Sequence, residues 1–114
     1  MHELSVCQAL VDQLRDLAER EAAQRITRVL LRVGPMSGVV PELLEHAFPI
    51  AAAETVAEGA AIHIEDALVR VRCRNCGAET DAEPGSLVCG SCGDFRTDLV
   101  SGDELLLVSV ELER

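Results

Sequence analysis

Two matched knuckles dominate the chemistry this chain can do. They read Cys73-Arg74-Asn75-Cys76-Gly77 and Cys89-Gly90-Ser91-Cys92-Gly93, with twelve residues between Cys76 and Cys89. A Cys-x-x-Cys pair lets two thiolates from one tight turn bind the same ion, and two such pairs at this spacing point to zinc. Gly77 and Gly93 each follow the second cysteine, where the turn calls for a positive φ. Four thiolates fill a tetrahedral shell and leave no position for water or substrate, so the site reads as structural. Residues 73–92 hold little else to order them, with Leu87 and Val88 the main apolar side chains. Structural zinc supplies on the order of 10–16 kcal/mol in small modules, enough to hold such an insert with help from docking.

The second candidate centre is His2. Next to the amino terminus, the Met1 α-amine, the His2 amide nitrogen and the His2 imidazole can close adjoining chelate rings. The Glu3 amide, another side chain or water can complete four positions. Nitrogen-rich square-planar sites suit Ni(II) or Cu(II). By default a histidine is polar surface, and Glu3 is an acid suited to the positive end of a helix dipole. Cys7 lies on an apolar stripe and reads as a buried, inert thiol. His46 and His63 read as surface residues.

These groups need elements to carry them. Leu4, Cys7, Leu10, Val11, Leu14, Leu17 and Ala18 recur at helical spacing, so the N-terminus leads into an amphipathic helix starting near residue 3 or 5. Residues 26–33 alternate as a strand, ended by Gly34-Pro35. Pro41 suits the first position of a second helix, whose apolar face is Leu43, Leu44, Ala47, Phe48, Ala51 and Ala52. Pro49 inside it is expected to kink or split that helix. Residues 61–65 form a short strand with Ile62 and Ile64 inward, and 69–72 run extended into the cysteines. Leu106, Val108, Val110 and Leu112 alternate along a last strand. The fold class is α/β: a small domain of two helices and a three-stranded sheet, with an inserted four-cysteine domain. The boundaries fall at 1–69 plus 99–114 for the first and 70–98 for the second.

Composition narrows the function. Net charge is −10, all ten basic residues are arginine, and Phe48 and Phe95 are the only aromatics. Arg70, Arg72, Arg74 and Arg96 lie near the cysteines, but Glu79, Asp81, Glu83, Asp94 and Asp98 outnumber them. The basic footprint of a nucleic-acid binder is missing. No apolar stretch is long enough to span a bilayer and no leader is visible, so a cytoplasmic location is expected, where thiols stay reduced. No nucleophile, base and orienting acid can be assigned together, so no enzyme is expected. The competing reading is a zinc ribbon that docks protein or RNA, with His2 incidental.

The whole chain resembles the HypA/HybF hydrogenase nickel-incorporation proteins. The resemblance rests on Met1-His2-Glu3-Leu4-Ser5, on Val33-Gly34-Pro35-Met36-Ser37-Gly38-Val39-Val40-Pro41-Glu42, on the doubled Cys-x-x-Cys and on Ser101-Gly102-Asp103-Glu104-Leu105. It implies a nickel metallochaperone acting in nickel–iron hydrogenase maturation beside a HypB-type GTPase, with the hydrogenase large-subunit precursor as recipient. It implies that His2 is the required nickel ligand, that the Met1 amine and the Glu3 backbone contribute, and that Cys73, Cys76, Cys89 and Cys92 bind zinc. Members of the family occur as monomers and homodimers.

Overall fold

The computed structural model describes residues 3–114. Two helices and six strands follow one another: α1 (Glu3–Arg20), β1 (Arg25–Val33), α2 (Pro41–Ala52), β2 (Ala61–Asp66), β3 (Arg70–Cys73), β4 (Glu79–Asp81), β5 (Thr97–Ser101) and β6 (Leu105–Glu113). The strands form two three-stranded sheets, ordered β2-β1-β6 and β4-β3-β5. The expected two helices, three-stranded sheet and cysteine insert are all present. The insert also carries a sheet of its own.

The chain divides into two compact units. The first takes the chain up to Leu31, Val39–Glu65 and Leu106–Arg114. Here α1 packs against α2. The helical stripe is the reason: Cys7, Leu10, Val11, Leu14 and Ala18 are buried on α1, and Leu44, Phe48 and Ala52 on α2. Ile26, Val29 and Leu31 of β1 join this apolar set. With one large aromatic, Phe48, it is otherwise aliphatic.

Glu3 lies in the first turn of α1, where the dipole argument favours an acid. Ser5 lies within α1. Pro41 takes the first position of α2, with Val40 extended before it and the Leu44 N–H closing the first turn on the Val40 carbonyl at 3.0 Å. Pro49 does not split α2, contrary to one of the two expectations for it. Its missing N–H leaves only the carbonyl of Glu45, on an exposed residue, for water, and the helix ends three residues later at Ala52.

The second unit comprises Arg32–Gly38 and Asp66–Leu105. It is wider than the 70–98 segment marked out by the cysteines, and backbone bonds explain why. The Gly34 N–H donates to the Glu104 carbonyl at 2.8 Å, the Met36 N–H to the Gly102 carbonyl at 2.8 Å, and the Ala67 N–H to the Val33 carbonyl at 3.3 Å. β3 pairs antiparallel with both neighbours. Val71 stands opposite Thr80 and Leu99, with a bulge between Arg70 and Val71 on the β5 side.

Candidate metal centre

The end of β3 delivers Cys73, and the turn after it delivers Cys76. The second knuckle supplies Cys89 and Cys92. Together the four Sγ atoms lie within 4.8 Å of one another. Cys73 and Cys92 are 3.6 Å apart, as are Cys76 and Cys89. A tetrahedral zinc with Zn–S of about 2.3 Å sets its sulfurs about 3.8 Å apart. The four cysteines therefore fit a thiolate-bound zinc ion in both spacing and donor chemistry.

The two knuckles are built alike. Cys73 Sγ accepts the N–H groups of Asn75 at 3.3 Å and Cys76 at 3.4 Å. Cys89 Sγ accepts those of Ser91 at 3.3 Å and Cys92 at 3.4 Å. Each turn closes on glycine: Gly77 donates to the Cys73 carbonyl at 3.0 Å and Gly93 to the Cys89 carbonyl at 2.9 Å. Both glycines have positive φ, 76° and 77°, with open space where a Cβ would stand. Conformation, not room, calls for glycine there.

Those N–H groups act on the thiols. Backbone donors from Cys92 and Ser91 bring Cys89 down to about 6, and a donor from Cys76, with Asn75 helping, lowers Cys73. Cys76 accepts an N–H from Ala78, yet its contact with Cys89 and its desolvation push it up to about 11. Without a metal, the cluster thus keeps protons on some sulfurs to spare the others. A bound cation removes that need by taking all four as thiolates. Cys73 and Cys89 are buried, whereas Cys76 and Cys92 are exposed.

The arginines around the cluster are engaged. Arg70 pairs with Asp81 at 2.6 Å, Arg72 with Glu79 at 3.2 Å, Arg74 with Asp98 at 2.6 Å and Arg96 with Asp94 at 2.7 Å. Arg96 holds Asp94 down at about 2 through side-chain and backbone donors. A phosphate would have to displace a carboxylate at each of these four positions.

Met1 and His2, the residues singled out for nickel, lie outside the described residues. Glu3 is described: its Oε2 accepts the Val40 N–H at 3.4 Å. Cys7 is fully buried, its thiol aimed at the Leu44 carbonyl at 3.5 Å, and burial raises it to about 11, with Glu3 adding to the rise. It is the buried thiol its stripe position suggests. His46 and His63 are exposed. Among the described residues, the four knuckle cysteines are the only cluster of three or more ligating side chains placed to hold a metal.

Sequence reasoning passed over Asn75, whose Nδ2 reaches Cys92 Sγ at 3.8 Å across the centre. It also passed over Thr80 and Thr97. The Thr80 hydroxyl accepts the Gly90 N–H at 2.8 Å, and the Thr97 hydroxyl donates to the Leu87 carbonyl at 2.6 Å. All three bonds join residues ten or more apart in the chain, so no local pattern signals them.

Comparison with known proteins places this geometry. A family described as "Hydrogenase/urease nickel incorporation, metallochaperone, hypA" matches residues 1–112. Hydrogenase maturation factor HypA of Nitrosospira multiformis is 46% identical over 112 residues, covering 98% of this chain and 97% of that protein. Its counterpart in Aquifex aeolicus is 38% identical over 113 residues, covering 99% and 98%. The solution structure of the Ni metallochaperone HypA from Helicobacter pylori superposes with a TM-score of 0.75 at 28% identity, covering 99% of this chain and 98% of that one.

Proposed function

Because the chain belongs to the HypA family of hydrogenase/urease nickel-incorporation metallochaperones, we propose that it captures Ni(II) at its own amino terminus and hands it on during nickel–iron hydrogenase maturation, while Cys73, Cys76, Cys89 and Cys92 keep a resident zinc ion. The observation that carries the zinc half is the meeting of four thiols within 4.8 Å on two knuckles of the same design. Zinc, when bound, supplies charge and a cross-link between the knuckles. With four thiolates around it there is no open position for chemistry.

The nickel half rests on family membership and on what the first residues offer. The Met1 amine, the His2 amide and the His2 imidazole form two fused chelate rings, and the Glu3 backbone completes a nitrogen-rich set suited to Ni(II). Glu3 lies in the first turn of α1. The N–H groups of a helix's first turn have no intrahelical acceptor, so the Glu3 amide can give up its proton to a metal without breaking a helical bond. Imidazole and α-amine titrate near about 6.5 and about 7.7–8, so nickel is held at neutral pH and released in acid.

The unit that carries α1 handles the cargo, and the unit that carries the cysteines keeps the zinc. The partners this role requires are a HypB-type GTPase and the hydrogenase large-subunit precursor, in the cytoplasm, where thiols stay reduced. No helix among the described residues is long and apolar enough to cross a membrane.

Nickel titration of zinc-loaded protein beside its His2→Ala variant tests this. The expected result is about one nickel per chain for the wild type, lost in the variant while zinc is kept. Equal binding by the two proteins would overturn the N-terminal site.

A further inference from the structure

The two knuckles match bond for bond in how their first cysteines are held, and they part company at their second cysteines. Cys76 takes its N–H from the backbone of Ala78. Cys92 takes one from a side chain, the Asn75 amide of the opposite knuckle, with Nδ2 3.8 Å from Sγ. Ser91 holds the matching place in the second knuckle and gives its backbone N–H to Cys89. Its side chain is too short to mirror the reach of Asn75.

We propose that Asn75 is a positioning residue of the metal centre: its amide bridges the knuckles, orients the Cys92 thiolate and quiets it, so that the zinc resists exchange. This rests on reading the four cysteines as a zinc site. The physical case has three parts. Cys92 is one of the two exposed cysteines, so its sulfur is open to electrophiles and competing metals. An N–H donor draws density from a thiolate lone pair, which makes it a weaker nucleophile while fixing its direction toward the ion. Asn75 lies between Cys73 and Cys76 in the chain, so one side chain ties the last cysteine to the first knuckle. A protein that carries one metal ion as cargo needs its other metal to stay put, and a cross-knuckle donor serves that end.

The test compares the wild type with Asn75→Ala, Asn75→Asp and Asn75→Gln. Metal analysis comes first, with about one zinc per chain expected. Two readouts follow. One is the rate of iodoacetamide alkylation at each cysteine, resolved by peptide mass. The other is the thiolate-to-cobalt charge-transfer absorption of the Co(II)-substituted protein, in a chain free of Trp and Tyr. Loss of the amide should speed alkylation of Cys92 roughly two- to tenfold, the size of one net hydrogen bond, and move the charge-transfer band to lower energy. Gln, which keeps the donor, should restore both, and Asp should restore neither. Wild-type protein without zinc would remove the zinc reading and this proposal with it. Zinc-loaded Asn75→Ala with wild-type rate and spectrum would overturn the role of Asn75 alone. If Asn75→Ala fails to hold metal, the Asp and Gln variants decide, and an Asp variant that behaves as the wild type overturns the proposal.

Discussion

The helical unit and the cysteine unit are held by different forces. In the first, α1, β1 and α2 bury Leu10, Val11, Leu14, Ile26, Val29, Leu31, Leu44 and Phe48, and apolar burial does the holding, at roughly 25 cal/mol per Å² removed from water. In the second, Cys89 is the sole buried residue between Arg74 and Ser101. The unit's other buried apolar side chains, Val33, Ala67, Val69 and Val71, precede the knuckles, and around the knuckles stand short antiparallel pairing, exposed ion pairs and two sulfur-bearing turns. Exposed pairs of this kind contribute about 0–1 kcal/mol each, so they cannot substitute for a core. What the contrast teaches is that the four thiols serve as the core of the knuckle segment, 74–101, where little else is buried. A metal held by them would be a folding element of that region.

The largest effect available breaks that contrast at its strong point. Cys73→Ala, or removal of zinc by a chelator, withdraws a term on the order of 10–16 kcal/mol from the cysteine unit. Amide hydrogen exchange should show β3, β4, β5 and both knuckles losing protection, while α1, β1 and α2 keep theirs. Equal loss throughout would show that the metal supports the whole chain. The converse substitution is Phe48→Ala, which empties a fully packed site in the helical unit at a cost of about 3–5 kcal/mol. Thermal unfolding followed by helix signal should fall by many degrees, with zinc content unchanged in the folded protein.

How much of this was legible beforehand follows the same division. The knuckles were readable because Cys-x-x-Cys-Gly is a local pattern, and the spacing that brings four sulfurs together is written in consecutive residues. α1 was readable because its stripe runs from Cys7 to Ala18 without interruption. β4 and β5 were not, since Glu79–Asp81 and Thr97–Ser101 carry no apolar alternation and exist through pairing with β3. On β6 the alternating set Leu106, Val108, Val110 and Leu112 divides: Leu106 and Val108 are exposed, whereas Val110 and Leu112, with Leu107, are half-buried. β6 lies at the end of its sheet's strand order, where alternation in sequence does not decide which side is covered. Leu43 is half exposed for a related reason: the buried face of α2 is the narrower row Leu44, Phe48, Ala52. Asn75 could not be read because its partner is seventeen residues away.

Gly34 offers a smaller break, at the segment that makes the cysteine unit wider than its cysteines. A Cβ added at Gly34 would stand 2.1 Å from the Gly102 carbonyl oxygen and 2.3 Å from its carbon. Both are backbone atoms, so no side chain can swing aside. Gly34→Ala should therefore shift the bonds from Gly34 to Glu104 and from Met36 to Gly102, at a cost of about 1–3 kcal/mol. Exchange at the Gly34 and Met36 amides should quicken first, before the helices or the knuckles respond. Unchanged protection at those two amides would show that the loop is not held by this crossing.

The smallest expected effect separates the two kinds of cysteine by pH. Cys7 is buried against the Leu44 carbonyl and its thiol is raised from its ordinary 9.0 to about 11, chiefly by desolvation and then by Glu3. A raised acid favours the protonated form in the folded state. Its contribution is thus fully present below about pH 9, where folded and unfolded chains both carry the proton. It is lost as pH climbs from about 9 to about 11, because the unfolded chain ionises first. The size is roughly 1–2 kcal/mol after allowing for solvent screening. The chain has no lysine and no tyrosine, so few other groups titrate in that window. Urea unfolding of the zinc-loaded protein at several pH values should show the helical unit weakening across it, and Cys7→Ala should flatten the slope while lowering stability at neutral pH. The zinc-bound thiolates behave oppositely, since protons compete with the metal and their unit weakens as pH falls. A wild type whose helical unit kept its full stability to pH 11 would mean that Cys7 ionises in place, and that its burial does not distinguish it from the thiols of the knuckles.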